Sequence, residues 1–385
     1  LFMAPVESKR PILLITNDLG PHLGGIETFL LGLLGELKGE EIIIYTSKQS
    51  GSEDFDLALA KKTGVKILRD RAKILLPTPR VVRNIRGVIK EFNCEIAWFG
   101  AAAPLALMAQ KLKKYGINRT IAITHGHEVW WAKLPFFRRA MRSIGNGCDV
   151  VTYLGSYTRD AIEGALGEHP ELVQIAPGIA LDVFTPGPKP ADLVERYRIK
   201  NVPTILCVGR LVKRKGQDKL IKALPKIKDE FPNVKLLLVG EGPLRKKLSK
   251  LVKKLRLEDN VIFTGRVSYE ELPKYFRVGD IFAMPARTRN FGLEVEGLGI
   301  VYLEASATGL PVIVGSSGGA PDALIQGETG YVVDGRNAEE IARQISYLIR
   351  DPESAKRLGA KGRDWIESNW SWQLWGEKFS EVLRG

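Results

Sequence analysis

The chain of 385 residues is too long for one ordinary core and fits two domains of roughly 150 to 200 residues each. Hydrophobic residues make up 44% and charged residues 26%, a balance that excludes a disordered or fibrous chain and describes a soluble globular one. The formal net charge of +13 favours anionic partners, among which nucleic acid is not expected, since Cys/His fingers and RNP-like runs are missing.

Leu1 to Arg10 contains no apolar run with a small-residue cleavage site, and no later stretch reaches the ~18 uninterrupted apolar residues of a membrane span. A cytoplasmic location is expected. From Ile12-Leu13-Leu14-Ile15-Thr16 onward, short β-branched runs alternate with helical patterns. Ile42 to Tyr45, Ile96 to Phe99, Thr120 to Thr124 and Val150 to Tyr153 continue the series. It predicts an α/β domain with a doubly wound, mostly parallel sheet over residues 1–185. The Pro/Gly-rich segment Phe184 to Pro190 reads as a linker. A second series follows over 186–370, with strands at Thr204 to Val208, Lys235 to Val239, Val261 to Thr264, Ile281 to Met284, Pro311 to Val314 and Tyr331 to Val333. Residues 371–385 are helical in pattern and are expected to cross back to the first domain. Cys94, Cys148 and Cys207 have no CxxC spacing and are read as packed thiols.

Two such domains are expected to face each other across a cleft, with ligands beyond the carboxyl ends of the strands, so the loops after each strand carry the chemistry. After the first strand, Gly20, Gly24 and Gly25 permit close backbone approach to a ligand ahead of a helix N-terminus. After Val208, Arg210 and Lys215 offer two cations at the entry to a helix, which suits a diphosphate. The neighbouring Lys213 and Arg214 allow the plainer reading of a solvated basic run. The sharpest signal is Glu296-Gly297-Leu298-Gly299-Ile300-Val301-Tyr302-Leu303-Glu304. Its glycines put Glu296 in a loop and Glu304 in a helix, with the intervening amides, including those of Ile300 and Val301, open to an anion. On a single helix the two carboxylates would stand ~12 Å apart, beyond the ~5 to 9.5 Å of a glycosidase pair, so two separate roles are expected. His125 ends a strand of the first domain. His127 and Glu128 lie beside it, but one-residue spacing and the lack of an Asp-x-Asp argue against a metal site.

With these residues in place, the chain from about Ile12 to Trp375 resembles retaining glycosyltransferase family 4 of the GT-B architecture. Within that family it is most similar to the GDP-mannose-dependent phosphatidylinositol mannoside mannosyltransferases of actinobacteria. The stretches that carry the likeness are Thr16-Asn17-Asp18 with Gly24-Gly25-Ile26, His125-Gly126-His127-Glu128, Arg210 with Lys215-Gly216-Gln217-Asp218, and Pro285-Ala286-Arg287-Thr288-Arg289 leading to Glu296 and Glu304. The resemblance implies that Arg210 and Lys215 hold the donor diphosphate, that Glu304 accepts hydrogen bonds from ribose hydroxyls, and that Glu296 contacts the transferred sugar. It places Gly25 near the phosphate, His125 at the sugar's 6-hydroxyl, and the base near Gly240 and Gly265-Arg266-Val267. It also implies a metal-independent reaction with no cofactor besides the donor substrate GDP-mannose, and a phosphatidylinositol-type lipid acceptor. An enzyme of this kind is expected to sit peripherally on the inner face of the cell membrane. Gly20-Pro21 stands where many relatives have two prolines, and Asn290-Phe291 replaces a glycine-rich step.

Three alternatives stay open at this level: another nucleotide-sugar donor with a different acceptor, a nucleotide-sugar 2-epimerase, and a nucleotide-binding scaffold without catalysis. Membrane docking is expected through Trp130-Trp131-Ala132-Lys133-Leu134-Pro135-Phe136-Phe137-Arg138-Arg139, where aromatics adjoin cations. A second basic face is expected from Arg80, Arg83, Arg86 and Lys90 at helical spacing.

Overall fold

The computed structural model describes residues 10–22 and 24–385. Leu23 of the glycine-rich loop and nearly all of the Leu1 to Arg10 segment lie outside the described residues. The chain divides into two compact units, one of Leu1–Gly178 with Trp372–Gly385 and one of Ile179–Ser371.

The first unit is built on seven parallel strands: β1 (Ile12–Thr16), β2 (Ile42–Thr46), β3 (Lys66–Arg69), β4 (Ile96–Phe99), β5 (Arg119–Ile123), β6 (Val150–Tyr153) and β7 (Glu171–Gln174), in the order β3-β2-β1-β4-β5-β6-β7. β1, β2 and β4 are buried along their whole length and apolar but for the closing threonines of β1 and β2, as expected of strands covered by helices on both faces. The two edge strands β3 and β7 have no counterpart in the sequence reading. Each begins with an exposed charged residue and is only half-buried beyond it, so neither shows the continuous apolar run that marks the others.

The tail helix Trp372–Arg384 completes this unit. Trp372 packs near Phe29 with ring centroids 6.3 Å apart, Phe379 meets Trp98 at 4.8 Å, and Arg119 Nε donates to the Val382 carbonyl at 2.8 Å.

The second unit carries β8 (Thr204–Val208), β9 (Lys235–Val239), β10 (Val261–Gly265), β11 (Ile281–Met284), β12 (Val312–Gly315) and β13 (Gly330–Val333), all parallel, in the order β10-β9-β8-β11-β12-β13. Its boundary falls at Gly178/Ile179, ahead of the expected 185/186. Arg363 Nη1 donates to the Phe184 carbonyl at 2.6 Å and Arg277 Nε to that of Thr185 at 3.0 Å, so this stretch is bound to the second unit. Ile179 bridges Ser371, which moves the start of the tail to Trp372.

Both sheets reverse strand order once, between β1 and β4 and between β8 and β11. At such a switch point the flanking loops diverge and leave a crevice beyond the strands' carboxyl ends. No helix among the described residues is long and apolar enough to cross a membrane.

Candidate active site

In the second unit the loops after β8, β9 and β11 converge backbone against backbone. Gly216 has a φ of 79°, and a Cβ there would lie 1.9 Å from the Pro285 carbonyl oxygen. One at Gly240 would lie 2.3 Å from that of Gly209. Only glycine admits both the left-handed backbone and the contact. Gly216 also opens the helix Gln217–Glu230 with no side-chain cap.

The turn Lys213–Lys215 directs two cations at one carboxylate. Glu296 Oε2 lies 2.6 Å from Arg214 Nη1 and 2.7 Å from Lys215 Nζ, with Glu296 buried and Lys215 nearly so. The backbone of Glu296 is fixed in turn: its N–H donates to Ser317 Oγ at 3.3 Å and its carbonyl accepts from Gly319 N at 2.8 Å. Arg214, set aside in the sequence as part of a solvated run, is therefore part of the cluster. Nothing in the sequence separates it from Lys213, because the contact joins loops 82 residues apart. Arg210 is exposed, and its carbonyl accepts from Gln217 Nε2 at 3.1 Å.

Gly299, with a φ of 80°, turns the chain from the Glu296 loop into the helix Ile300–Ala307 and provides no side-chain cap. The first-turn amides of Ile300 and Val301 therefore point out of the helix without an intrahelical acceptor. Tyr302 Oη donates to the Met284 carbonyl at 2.8 Å and pins this helix beneath β11. Glu304, one turn further on, is buried without an ion pair or side-chain hydrogen bond among the described residues. Burial pushes its carboxyl up to about 8. Tyr269, which no sequence signal singles out, stands near enough to Glu304 that partial burial and the Glu304 charge together push its phenol up to about 12. At the ends of β9 and β10, Gly240 N donates to the Gly265 carbonyl at 2.9 Å, and the half-buried Val267 follows.

In the first unit, Gly25 begins the helix Gly25–Glu36. Glu27 accepts from Gly24 N at 3.0 Å, and a Cβ added to Gly25 would meet nothing within 4 Å among the described residues, which leaves this helix start open to a ligand on their side. His125 follows β5, with Nε2 2.6 Å from the Gly100 carbonyl. A ring nitrogen facing a carbonyl must donate, which assigns the proton to Nε2 and leaves Nδ1 as an acceptor. Burial lowers the His125 pKa and favours this neutral form. The backbone N–H of His125 donates to Glu128 Oε2 at 2.9 Å, and Phe29 packs edge-on against the ring at 5.7 Å. Glu128 is fully buried, with Oε1 3.4 Å from His127 Nε2.

Trp130, Trp131 and Phe137 pack on one another with centroids 4.8 to 5.5 Å apart, whereas Phe136 is exposed beside exposed Lys133, Arg138 and Arg139. The second basic face is reduced by internal pairing. Arg80 binds Asp70 through both oxygens, at 2.8 and 3.0 Å, and Arg86 lies over the Tyr115 ring at 4.9 Å, leaving Arg83 and Lys90.

Residues 23–183 match the family model for Glycosyltransferase Family 4, and residues 192–365 that for Glycosyl transferases group 1. The chain is 43% identical over 97% of its length to the GDP-mannose-dependent alpha-(1-6)-phosphatidylinositol monomannoside mannosyltransferase of Mycolicibacterium smegmatis, 98% of which is covered. It is 40% identical over 98% of its length to the monoacylated-substrate counterpart of Corynebacterium glutamicum, covering 99% of that chain. Among solved structures, Anabaena HepE in complex with UDP superposes with a TM-score of 0.81 at 18% identity, over 97% of this chain and 99% of that one. A sucrose-phosphate synthase from Thermosynechococcus elongatus gives 0.78 at 22%, over 98% of each. These likenesses place the pair of sheets in the GT-B architecture.

Proposed function

Because the chain belongs to glycosyltransferase family 4, we propose that it transfers mannose from GDP-mannose to a phosphatidylinositol mannoside, with retention of configuration and without a metal ion. The observation that carries this reading is its full-length likeness to the mycobacterial and corynebacterial mannosyltransferases.

The chemistry of the cluster supports it. When the bond from the anomeric carbon to the diphosphate breaks, negative charge collects on the departing phosphate. Lys215 and the uncapped amides of Ile300 and Val301 are fixed positive groups suited to stabilise it without reorganisation, and the exposed Arg210 supplies a further cation on the same loop. Arg214 adds a third cation through Glu296. Glu296 contacts the sugar hydroxyls, and Glu304 accepts from the ribose. The base lies against Gly240 and Val267. In the first unit, the open helix start at Gly25 suits an anion, and Nδ1 of His125 is an acceptor suited to a sugar hydroxyl. The acceptor oxygen attacks the face that the diphosphate leaves, and its proton passes to the leaving phosphate oxygen, so no protein carboxylate serves as base.

The acceptor is a lipid, and the protein works peripherally at an anionic leaflet on the cytoplasmic side, with Phe136, Lys133, Arg138 and Arg139 at the headgroup boundary.

A thermal-shift panel of GDP, UDP and ADP with their mannose and glucose conjugates tests the donor, since a ligand that binds only the folded chain raises its stability by mass action. GDP and GDP-mannose are expected to stabilise the protein most, and GDP-mannose to be consumed only when phosphatidylinositol mannoside is added. Preference for UDP or ADP conjugates, or sugar isomerisation without acceptor, would replace this reading.

A further inference from the structure

The segment between β11 and Glu296 forms a finger that the donor chemistry does not use. Arg289 and Glu294 exchange backbone hydrogen bonds, N–H to carbonyl at 2.9 and 3.2 Å, and their side chains pair at 2.7 Å. This closes the loop at its base. At its tip Asn290 and Phe291 both hold positive φ, 50° and 54°. A bulky aromatic residue rarely adopts that backbone, and such strain persists only where the surroundings impose it. The result is a Phe291 ring fully exposed to solvent, with Leu293 half-exposed beside it. The sequence shows the same oddity, an asparagine and a phenylalanine where a glycine-rich step would turn without strain.

Beside this tip lies a recess of about 430 Å³ lined by Lys219, Arg287, Thr288, Arg289, Asn290 and Arg336. Arg287 is paired with Asp218 at 2.9 Å and Arg289 with Glu294, so two of the four cations are compensated locally. Lys219 has no carboxylate partner among the described residues, and Arg336 Nη2 donates only to the Thr288 carbonyl at 2.6 Å. The recess therefore keeps a net positive charge with donors facing an open space.

We propose that the Arg289–Glu294 finger is a second membrane contact, in which Phe291 and Leu293 enter the headgroup boundary of an anionic bilayer while Lys219 and Arg336 bind the phosphate of a lipid headgroup. An exposed aromatic tip directly flanked by uncompensated cations matches both halves of such a surface, the apolar boundary and the anionic headgroup layer. The inference rests on the lipid-acceptor reading for the identity of the phosphate, and it is independent of the Trp130–Arg139 segment of the first unit.

The three native cysteines are buried, and burial pushes each thiol up to about 12, so F291C provides one reactive thiol for an environment-sensitive fluorophore. On the full chain, the label is expected to shift to the blue and be quenched by a lipid-borne quencher on vesicles of phosphatidylcholine with phosphatidylinositol. Neither change is expected on phosphatidylcholine alone, or with inositol phosphate at equal ionic strength. Flotation with anionic vesicles is expected to weaken about ten-fold in F291S, from loss of the buried ring. A K219Q/R336Q pair should lose about 25-fold, from two surface charges. Turnover of a water-soluble acceptor analogue should be unchanged in all of these. If the unsubstituted chain floats with anionic vesicles while the label at 291 stays solvent-exposed, the finger is not a membrane contact and only this proposal fails. Failure of the unsubstituted chain to float removes membrane docking altogether. Label changes with inositol phosphate alone would make the recess a soluble-anion site, and loss of soluble turnover in F291S would place Phe291 in the reaction machinery. Each of these last two results overturns the proposal.

Discussion

Lys215 Nζ lies 2.7 Å from Glu296 Oε2, so the cation assigned to the donor diphosphate and the carboxylate assigned to the donor sugar form one ion pair. A diphosphate entering the site competes with Glu296 for the same ammonium. Glu296 is retained in place by Arg214 at 2.6 Å and by its backbone bonds to Ser317 and Gly319.

Lys215→Ala and Arg210→Ala are each expected to lower turnover by about 10²-fold or more, the scale of losing one charge-stabilising donor at the leaving group. Arg210→Lys should restore little, because a point charge does not reproduce a planar fork. Combining Lys215→Ala with Glu296→Gln should cost less than the product of the single effects, since the two side chains are in direct contact and either change already removes their ion pair. Steady-state kinetics on the four forms check this. Near-normal turnover in both alanine variants would remove the diphosphate assignment.

Glu304 carries a pH signature. Its folded pKa of about 8 stands above the ordinary carboxyl value of 4.5, so the folded chain holds a proton that the unfolded chain has released between those values. The associated stability is fully present below the unfolded value and is lost as pH rises toward 8. Without nucleotide, Glu304→Gln should be more stable than the parent near neutral pH, by at most about 3 kcal/mol, and the difference should vanish at about pH 4. Denaturant melts across pH measure it.

Ribose hydroxyls donating to Glu304 favour its ionised form. Nucleotide affinity of the parent should therefore rise with pH up to about 8, and Glu304→Gln should bind more weakly with that rise removed. Calorimetric titrations of GDP across this range would show it, and an identical pH slope in the glutamine variant would exclude Glu304 from the nucleotide site.

Activity is expected to survive excess EDTA, because fixed cations occupy the role a divalent ion would fill at the leaving phosphate. Complete loss, restored by magnesium or manganese, would refute the metal-free mechanism.

Phe136→Ser together with Arg138→Gln and Arg139→Gln should reduce flotation with phosphatidylinositol-containing vesicles by 10²-fold or so, taking the exposed ring and two surface charges together. Elevated salt should release the parent by screening. Equal recovery on neutral vesicles would count against docking through this segment.

Local order fixed what could be read directly. Uninterrupted apolar runs announce β1, β4 and β8 because strands covered on both faces bury every side chain. The glycines ahead of Ile300 separate a loop carboxylate from a helical one within a few residues. The edge strands β3 and β7 escaped that reading because a half-exposed strand has no such run. The limits of the second unit depend on Arg363 reaching the carbonyl of Phe184, a contact with no local sequence signal. Charge was the least legible property. Lys213 and Arg214 are adjacent and chemically alike in sequence, as are Arg80 and Arg83 along one helix. Yet Arg214 closes on Glu296 and Arg80 on Asp70, while Lys213 and Arg83 remain exposed. Which basic residue is spent internally and which is left for a ligand or a bilayer is set by the carboxylate that the fold brings beside it, at the switch point for Arg214 and at the sheet edge after β3 for Arg80. That pairing exists only once the tertiary structure has formed.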